Sequence, residues 1–242
     1  MIEILRSYLY TELTMRNEPL HGYVLHQRAY RENSKLVNFL SFEAGRIDGV
    51  ARQNVSSLYQ PTLLFATGKS PLKSFAKAES AGSAFTMIGD ALFAGFYLNE
   101  LLVRLLPHQE ALPDVVMAYA NALQALSEQK SLIATLRRFE LVLLEKLGYA
   151  IDFQSDWLGQ PIDPNALYRY QRGEGFTLNT SGETGASILA VSAFASSMPH
   201  SLQLECLSML TRVLRSALAV QLGDKPLKSR ALWISSKPKN SK

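Results

Sequence analysis

Between residues 21 and 79 the apolar and aromatic positions come in short runs. GYVLHQRAY and KLVNFLSF are separated by RENS, EAG at 43–45 makes a turn, and RIDGVAR follows. A polar connection then leads to PTLLFATG and PLKSFAKAE, which are split at Gly68-Lys69-Ser70-Pro71. Runs of this length between turn residues predict strands. Five of them predict a small barrel, with the five-stranded OB barrel leading and an SH3-like barrel sharing the same strand statistics. From about residue 82 the apolar period becomes helical. Ala84–Leu106, stopped by Pro107, and Asp114–Leu126 predict two helices, and residues 131–150 predict a third. In that third helix Leu132, Leu136, Phe139, Leu143 and Leu147 form one buried stripe, with Ser131 placed to cap its start and Gly148 its end. Residues 149–184 break the pattern with a turn-rich loop and a small hairpin around Arg172–Glu174, after which helices resume at Gly185–Ser196 and Ser201–Leu222.

The expected fold is therefore α+β, an N-terminal five-stranded OB-fold barrel followed by an all-α helical domain with a small irregular or hairpin insertion. Its parts are an N-terminal extension (1–20, readable as helix or strand), the barrel (21–80), the helical domain (81–235, with 149–184 inserted) and a basic tail (236–242).

Composition changes this picture in three places. With 47% hydrophobic and 19% charged residues, the chain can bury a core. One cysteine, Cys206, allows no internal disulfide and no multi-cysteine zinc site. The most apolar segment, Ala84–Leu106, contains Asp90, Asn99, Glu100 and Arg104, so it reads as a buried helix rather than a membrane span. No secretory leader pattern is visible at the start, which makes the cytoplasm the expected location. Charge is unevenly spread. Residues 21–79 hold eight basic and four acidic side chains, 80–220 nine and thirteen, and 221–242 six and one. Basic ends around an acidic middle point to a polyanionic partner.

Across the strands lie Arg28, Arg31, Lys35, Arg46, Arg52, Lys69, Lys73 and Lys77, interleaved with Tyr30, Phe39, Phe42, Tyr59, Phe65 and Phe75. Cations that track phosphates beside rings that stack on bases suit single-stranded nucleic acid, although at least half of the rings are expected to fill the barrel. Gly68-Lys69-Ser70 resembles the end of a phosphate-binding loop, but Leu63 stands where that pattern needs its first glycine, and the segment joins two strands. On the third helix Arg137 and Arg138 point about 100° apart, so one borders the apolar face while the other meets solvent. A guanidinium beside an apolar groove can receive an acidic, aromatic peptide end. The four histidines, His21, His26, His108 and His200, show no metal-ligand spacing, and neither GxSxG nor HExxH occurs. No enzyme, cofactor or metal is expected.

The ordered series GFYLNELLVRLLP, LRRFELVLLEKLGYAIDF, YRYQRGEGF and GDKPLKSR resembles the bacterial recombination mediator family RecO, as do the segments VLHQRAYREN and AGRIDGVAR. The likeness runs strongly over 90–230 and more weakly over 21–79. The resemblance implies an OB barrel and a helical domain. It implies binding and annealing of single- and double-stranded DNA, and work at the nucleoid with RecR to load RecA on strands coated by the single-strand-binding protein, SSB. It also implies capture of the acidic, phenylalanine-ending SSB tail. Carried over, the tail contact falls on Arg137, with Arg138 beside it and Lys225, Lys228 and Arg230 in support. Two departures stand out. Many relatives carry a four-cysteine zinc site in the part matching 149–184, which this chain lacks, and Gln53–Tyr59 holds no lysine or arginine. The second departure motivates an alternative, a protein adaptor for the SSB tail and RecR with little DNA affinity of its own.

Overall fold

The computed structural model describes residues 15–52, 55–196 and 202–237. Five strands, β1 (Met15–Tyr30), β2 (Ser34–Ser41), β3 (Gly45–Ala51), β4 (Pro61–Gly68) and β5 (Leu72–Ser80), close into a barrel of order β1-β2-β3-β5-β4. This is the five-stranded OB barrel expected above. β3 and β5 run parallel and the other neighbours antiparallel. Closure depends on the length of β1, which pairs with β4 through its first half and with β2 through its second. Register shifts at Arg16/Glu18 and Val24/His26 mark bulges that bend it round. The strand therefore takes in residues 15–20, which the sequence pattern assigns to an extension; the rest of that extension, and most of the basic tail, lie outside the described residues.

Alternation along the strands fills the interior. Thr62, Leu64 and Ala66 of β4 point inward, and Val24, Val37, Phe39, Ile47 and Phe75 join Leu64 in one buried cluster. Phe39 and Phe75 meet edge to face at 6.5 Å, a favourable ring geometry.

Residues 84–89, expected to open a long helix, instead lie outside any helix or strand. The Phe85 amide donates to the Tyr59 carbonyl, and Met87 is buried. Helix α1 (Asp90–Leu105) begins only after Gly89, whose φ of 55° suits a chain reversal. Asn99, buried on α1, donates to the Leu25 carbonyl, so this amide is satisfied inside the fold.

The chain forms two compact units. Of the described residues, one contains those up to 88 together with 95–117, the other 89–94 and those from 118 onward. In the second, α2 (Pro113–Ser127, from Ala118), α3 (Leu132–Lys146), α4 (Gly185–Ser196) and α5 (Leu204–Leu222) supply the packed helices, and α6 (Lys228–Ser236) follows. Ser131 caps α3 by accepting the Ala134 amide at 3.4 Å. At the other end the Tyr149 amide reaches the Leu144 carbonyl and the Gly148 amide that of Glu145, with Gly148 at φ 82°. That is a Schellman closure, which an L side chain at Gly148 would strain. The insertion is a three-stranded sheet of order β7-β6-β8, from β6 (Leu167–Gln171), β7 (Gly175–Asn179) and β8 (Glu183–Thr184). Its hairpin is the one expected, and the third strand is additional. Phe176 anchors it, with Phe153 at 5.7 Å and Tyr170 at 5.4 Å. Among the described residues no helix is long and apolar enough to cross a membrane.

Candidate nucleic-acid and peptide interfaces

The eight strand cations separate into three groups. Arg28 at the end of β1, Arg31 in the β1–β2 turn, Lys35 on β2 and Arg52 just past β3 line one cleft of about 700 Å3, together with Gln27, Asn33 and Glu32. Register explains the convergence: Ala29 faces Lys35, and Lys35 faces Ala51, so three neighbouring strands end together. Arg28, Arg31 and Arg52 are exposed, whereas Lys35 is half-buried and donates to Gln27 Oε1 at 3.3 Å. Arg31 lies 5.2 Å from the centre of the Tyr30 ring.

The second group stands apart from this cleft. Lys69 is exposed in the β4–β5 turn. Lys77, also exposed, pairs with Glu79 and lies 5.9 Å from the Phe65 ring.

The third group is interior, contrary to the expectation of eight displayed cations. Lys73 is only 2% exposed and its Nζ donates to the Gly68 carbonyl at 3.4 Å. Arg46, 8% exposed, donates through Nη1 to the Val103 and Leu106 carbonyls at the end of α1 and through Nη2 to the His108 ring. Its Nε lies 3.7 Å from Asp48, whose other oxygen is 3.8 Å from His108 Nδ1. The last carbonyls of a helix lack intrahelical donors and carry partial negative charge, so a buried guanidinium fits there. Burial and the Arg46 charge lower the His108 pKa, and Asp48 opposes them.

The rings divide in the same way. Phe39, Phe75 and Tyr59 are core, and burial raises the Tyr59 pKa. Tyr30, Phe42 and Phe65 are half-buried, and of these Tyr30 stands beside the cleft.

In the helical unit the two α3 arginines differ more sharply than their spacing implies. Arg137 is 7% exposed and forms an ion pair with fully buried Glu140, one turn along the same helix. It is thus held in the interior by a carboxylate of its own chain, where the sequence reading placed it at a groove. Arg138 is half-buried, its guanidinium 4.6 Å from the centre of the Phe194 ring on α4. Lys225, Lys228 and Arg230 are exposed at and before the start of α6, a different element from the arginine pair. Two features escaped the sequence reading. The three-residue spacing of Arg137 and Glu140 was a signal that could have revealed their pair. The contacts of Arg46, 57 and 60 residues along the chain, leave no local trace.

Comparison with known proteins agrees with this architecture. Residues 15–70 match the family model described as Recombination protein O N terminal, and residues 89–231 match Recombination protein O C terminal. The DNA repair protein RecO of Stutzerimonas stutzeri (strain A1501) is 40% identical over 226 residues, which cover 89% of this chain and 93% of that one. The DNA repair protein RecO of Pseudomonas putida (strain W619) is 41% identical over 222 residues, 88% and 95% of the two chains. That of Haemophilus influenzae (strain PittGG) is 36% identical over 233 residues, 90% and 97%.

Proposed function

The chain belongs to the RecO family of DNA repair proteins, and we propose that it acts as a recombination mediator that grips DNA and the coat protein SSB without making or breaking covalent bonds. The observation that carries this reading is the cleft where Arg28, Arg31, Lys35 and Arg52 come together. Four cations gathered at one end of a barrel can contact the phosphates of a strand, whether single or in a duplex, with Lys69 and Lys77 as outlying contacts. Because Phe39, Phe75 and Tyr59 are interior, stacking falls mainly to Tyr30, and phosphate contacts dominate. Two strands neutralised in this way repel each other less, which favours annealing.

The helical unit takes the SSB tail in this reading. Arg138, half-buried on α3 with its guanidinium over the buried Phe194 ring of α4, is the arginine of that helix that a terminal carboxylate would meet in this reading. Arg137 supports that helix face from within, and Lys225 just before α6, with Lys228 and Arg230 on it, attract the acidic peptide. With RecR as co-mediator, holding DNA and coat protein at once raises the local concentration at which RecA is loaded.

The test is fluorescence polarisation of labelled single-stranded DNA over a salt titration, with and without SSB and RecR. Affinity should fall steeply with salt, and Arg28→Ala combined with Arg31→Ala and Arg52→Ala should flatten the log–log slope by about 0.7 per lost contact. A flat wild-type titration removes the phosphate mechanism. The interior placement of Arg46 and Lys73 favours one second reading, an adaptor that meets SSB and RecR with little DNA affinity. A gel shift with bare oligonucleotide separates the two.

A further inference from the structure

The insertion and the end of α5 enclose a groove of about 330 Å3 that the DNA and SSB contacts leave unused. Its floor is apolar. Phe176 and Tyr170 form the base, and Tyr149 and Val220, 48% and 50% exposed, flank it. The floor is also stiff, because Phe176 is locked between Phe153 and Tyr170. Around it stand three carboxylates, Asp152, Asp156 and Glu174, against one cation, Arg172.

The wall is pre-shaped by backbone hydrogen bonds. Asp152 Oδ1 accepts the amides of Gln154 and Ser155, at 2.7 and 3.2 Å. Asp156 Oδ1 accepts those of Leu158 and Gln160, at 2.9 and 2.8 Å. The Trp157 amide donates to the Phe176 carbonyl at 2.9 Å, which fixes this turn to the sheet edge, while the Trp157 and Leu158 side chains stand 55% and 63% exposed.

We propose that this groove is a second protein-docking site and that its occupant is a basic segment of a partner protein carrying one aliphatic or aromatic anchor. Charge decides the sign of the partner. Three carboxylates beside low-dielectric walls repel an acidic peptide, so the SSB tail does not belong here, and they attract lysine and arginine. Area and shape decide the anchor: an apolar floor of this size takes one large side chain. Little ordering is needed on the receiving side, because the wall is already held by its backbone bonds.

The experiment uses the full chain without DNA and a fluorescein-labelled probe, Lys-Lys-Lys-Leu-Trp-Lys-Lys-Lys. One control peptide replaces Leu-Trp with Ala-Ala, and another replaces every lysine with glutamate. The probe should bind, and each control should bind at least about tenfold more weakly. Asp152→Asn with Asp156→Asn and Glu174→Gln removes the charge while the asparagine oxygens still accept the turn amides, and should weaken the probe by about tenfold. Val220→Lys tests the floor independently, and thermal melting verifies that both variants fold. Equal binding of the Ala-Ala control, unchanged affinity in both variants, or tighter binding of the glutamate peptide would overturn the proposal. So would self-association of the wild-type chain that Val220→Lys abolishes in sedimentation, since the groove would then be covered by a second copy.

Discussion

The end of the barrel and the third helix both gather arginines, but they use them oppositely. In the barrel cleft, Arg28, Arg31 and Arg52 face solvent where three strands terminate. On α3, Arg137 is enclosed with Glu140 and only Arg138 reaches the surface. Arg46 repeats the second arrangement inside the barrel unit, beneath the end of α1. A count of cations therefore overstates what a ligand can touch. What decides is whether a carboxylate or a set of helix-end carbonyls lies within reach before any ligand arrives.

The largest test of this contrast is Arg137→Ala. Removing one member of a buried ion pair leaves the other charge uncompensated, at a cost of about 3–5 kcal/mol. Chemical denaturation should show that loss, whereas replacing the pair together, by Arg137→Met with Glu140→Leu, should restore most of the stability. Arg138→Ala should instead weaken SSB-tail peptide binding with little change in stability. If Arg137→Ala melts like wild type and only peptide affinity falls, Arg137 belongs at the surface after all.

Next in size is Arg46→Ala, which strands the Val103 and Leu106 carbonyls and should cost about 1–3 kcal/mol. Arg52→Ala, at an exposed position near the same strand's end, should stay within about 0.5 kcal/mol in stability and act on DNA affinity alone. Similar stability losses in both variants would erase the distinction between interior and cleft arginines.

These two arginines also show what was legible in the sequence. Strands β2 to β5, the capped α3 and the hairpin of the insertion follow from local patterns, namely alternation, a serine cap, a glycine stop and turn residues. The barrel's closure was legible only as a strand count. The early start of β1 depends on pairing with β4, and the delayed start of α1 on the bond from Phe85 to Tyr59. α6 is short, and its Trp233 Nε1 donates to Asp90 at 2.7 Å, in the first turn of α1. A partner that far along the chain cannot be read from the tail itself. The same holds for Arg46, so its side chain looked like one more surface cation on a strand.

Lysines give a smaller version of the comparison. Lys69→Met should reduce the salt slope of DNA binding by about 0.7, the share of one phosphate contact on a single strand. Lys73→Met should leave that slope unchanged, because this ammonium is interior and bonded to the Gly68 carbonyl. Equal effects would mean that Lys73 leaves its interior site when DNA binds.

The smallest expected effect concerns acid. Burial first, and the Arg46 guanidinium second, lower the His108 pKa below the ordinary 6.5, with Asp48 pulling the other way. The folded chain thus takes up this proton later than the unfolded chain does. Above the unfolded value neither state is protonated and the contribution to stability is complete. As pH falls through that value the unfolded state gains its proton first, and stability declines until folded His108 is also charged. Denaturant midpoints between about pH 7.5 and 5.5 should therefore drop further in wild type than in His108→Gln. In Arg46→Met the pH dependence should shrink, since one of the two causes of the shift is gone. Parallel curves for wild type and His108→Gln would show that the ring, half exposed beside Arg46 and Asp48, exchanges its proton as freely in the folded chain as in the unfolded one.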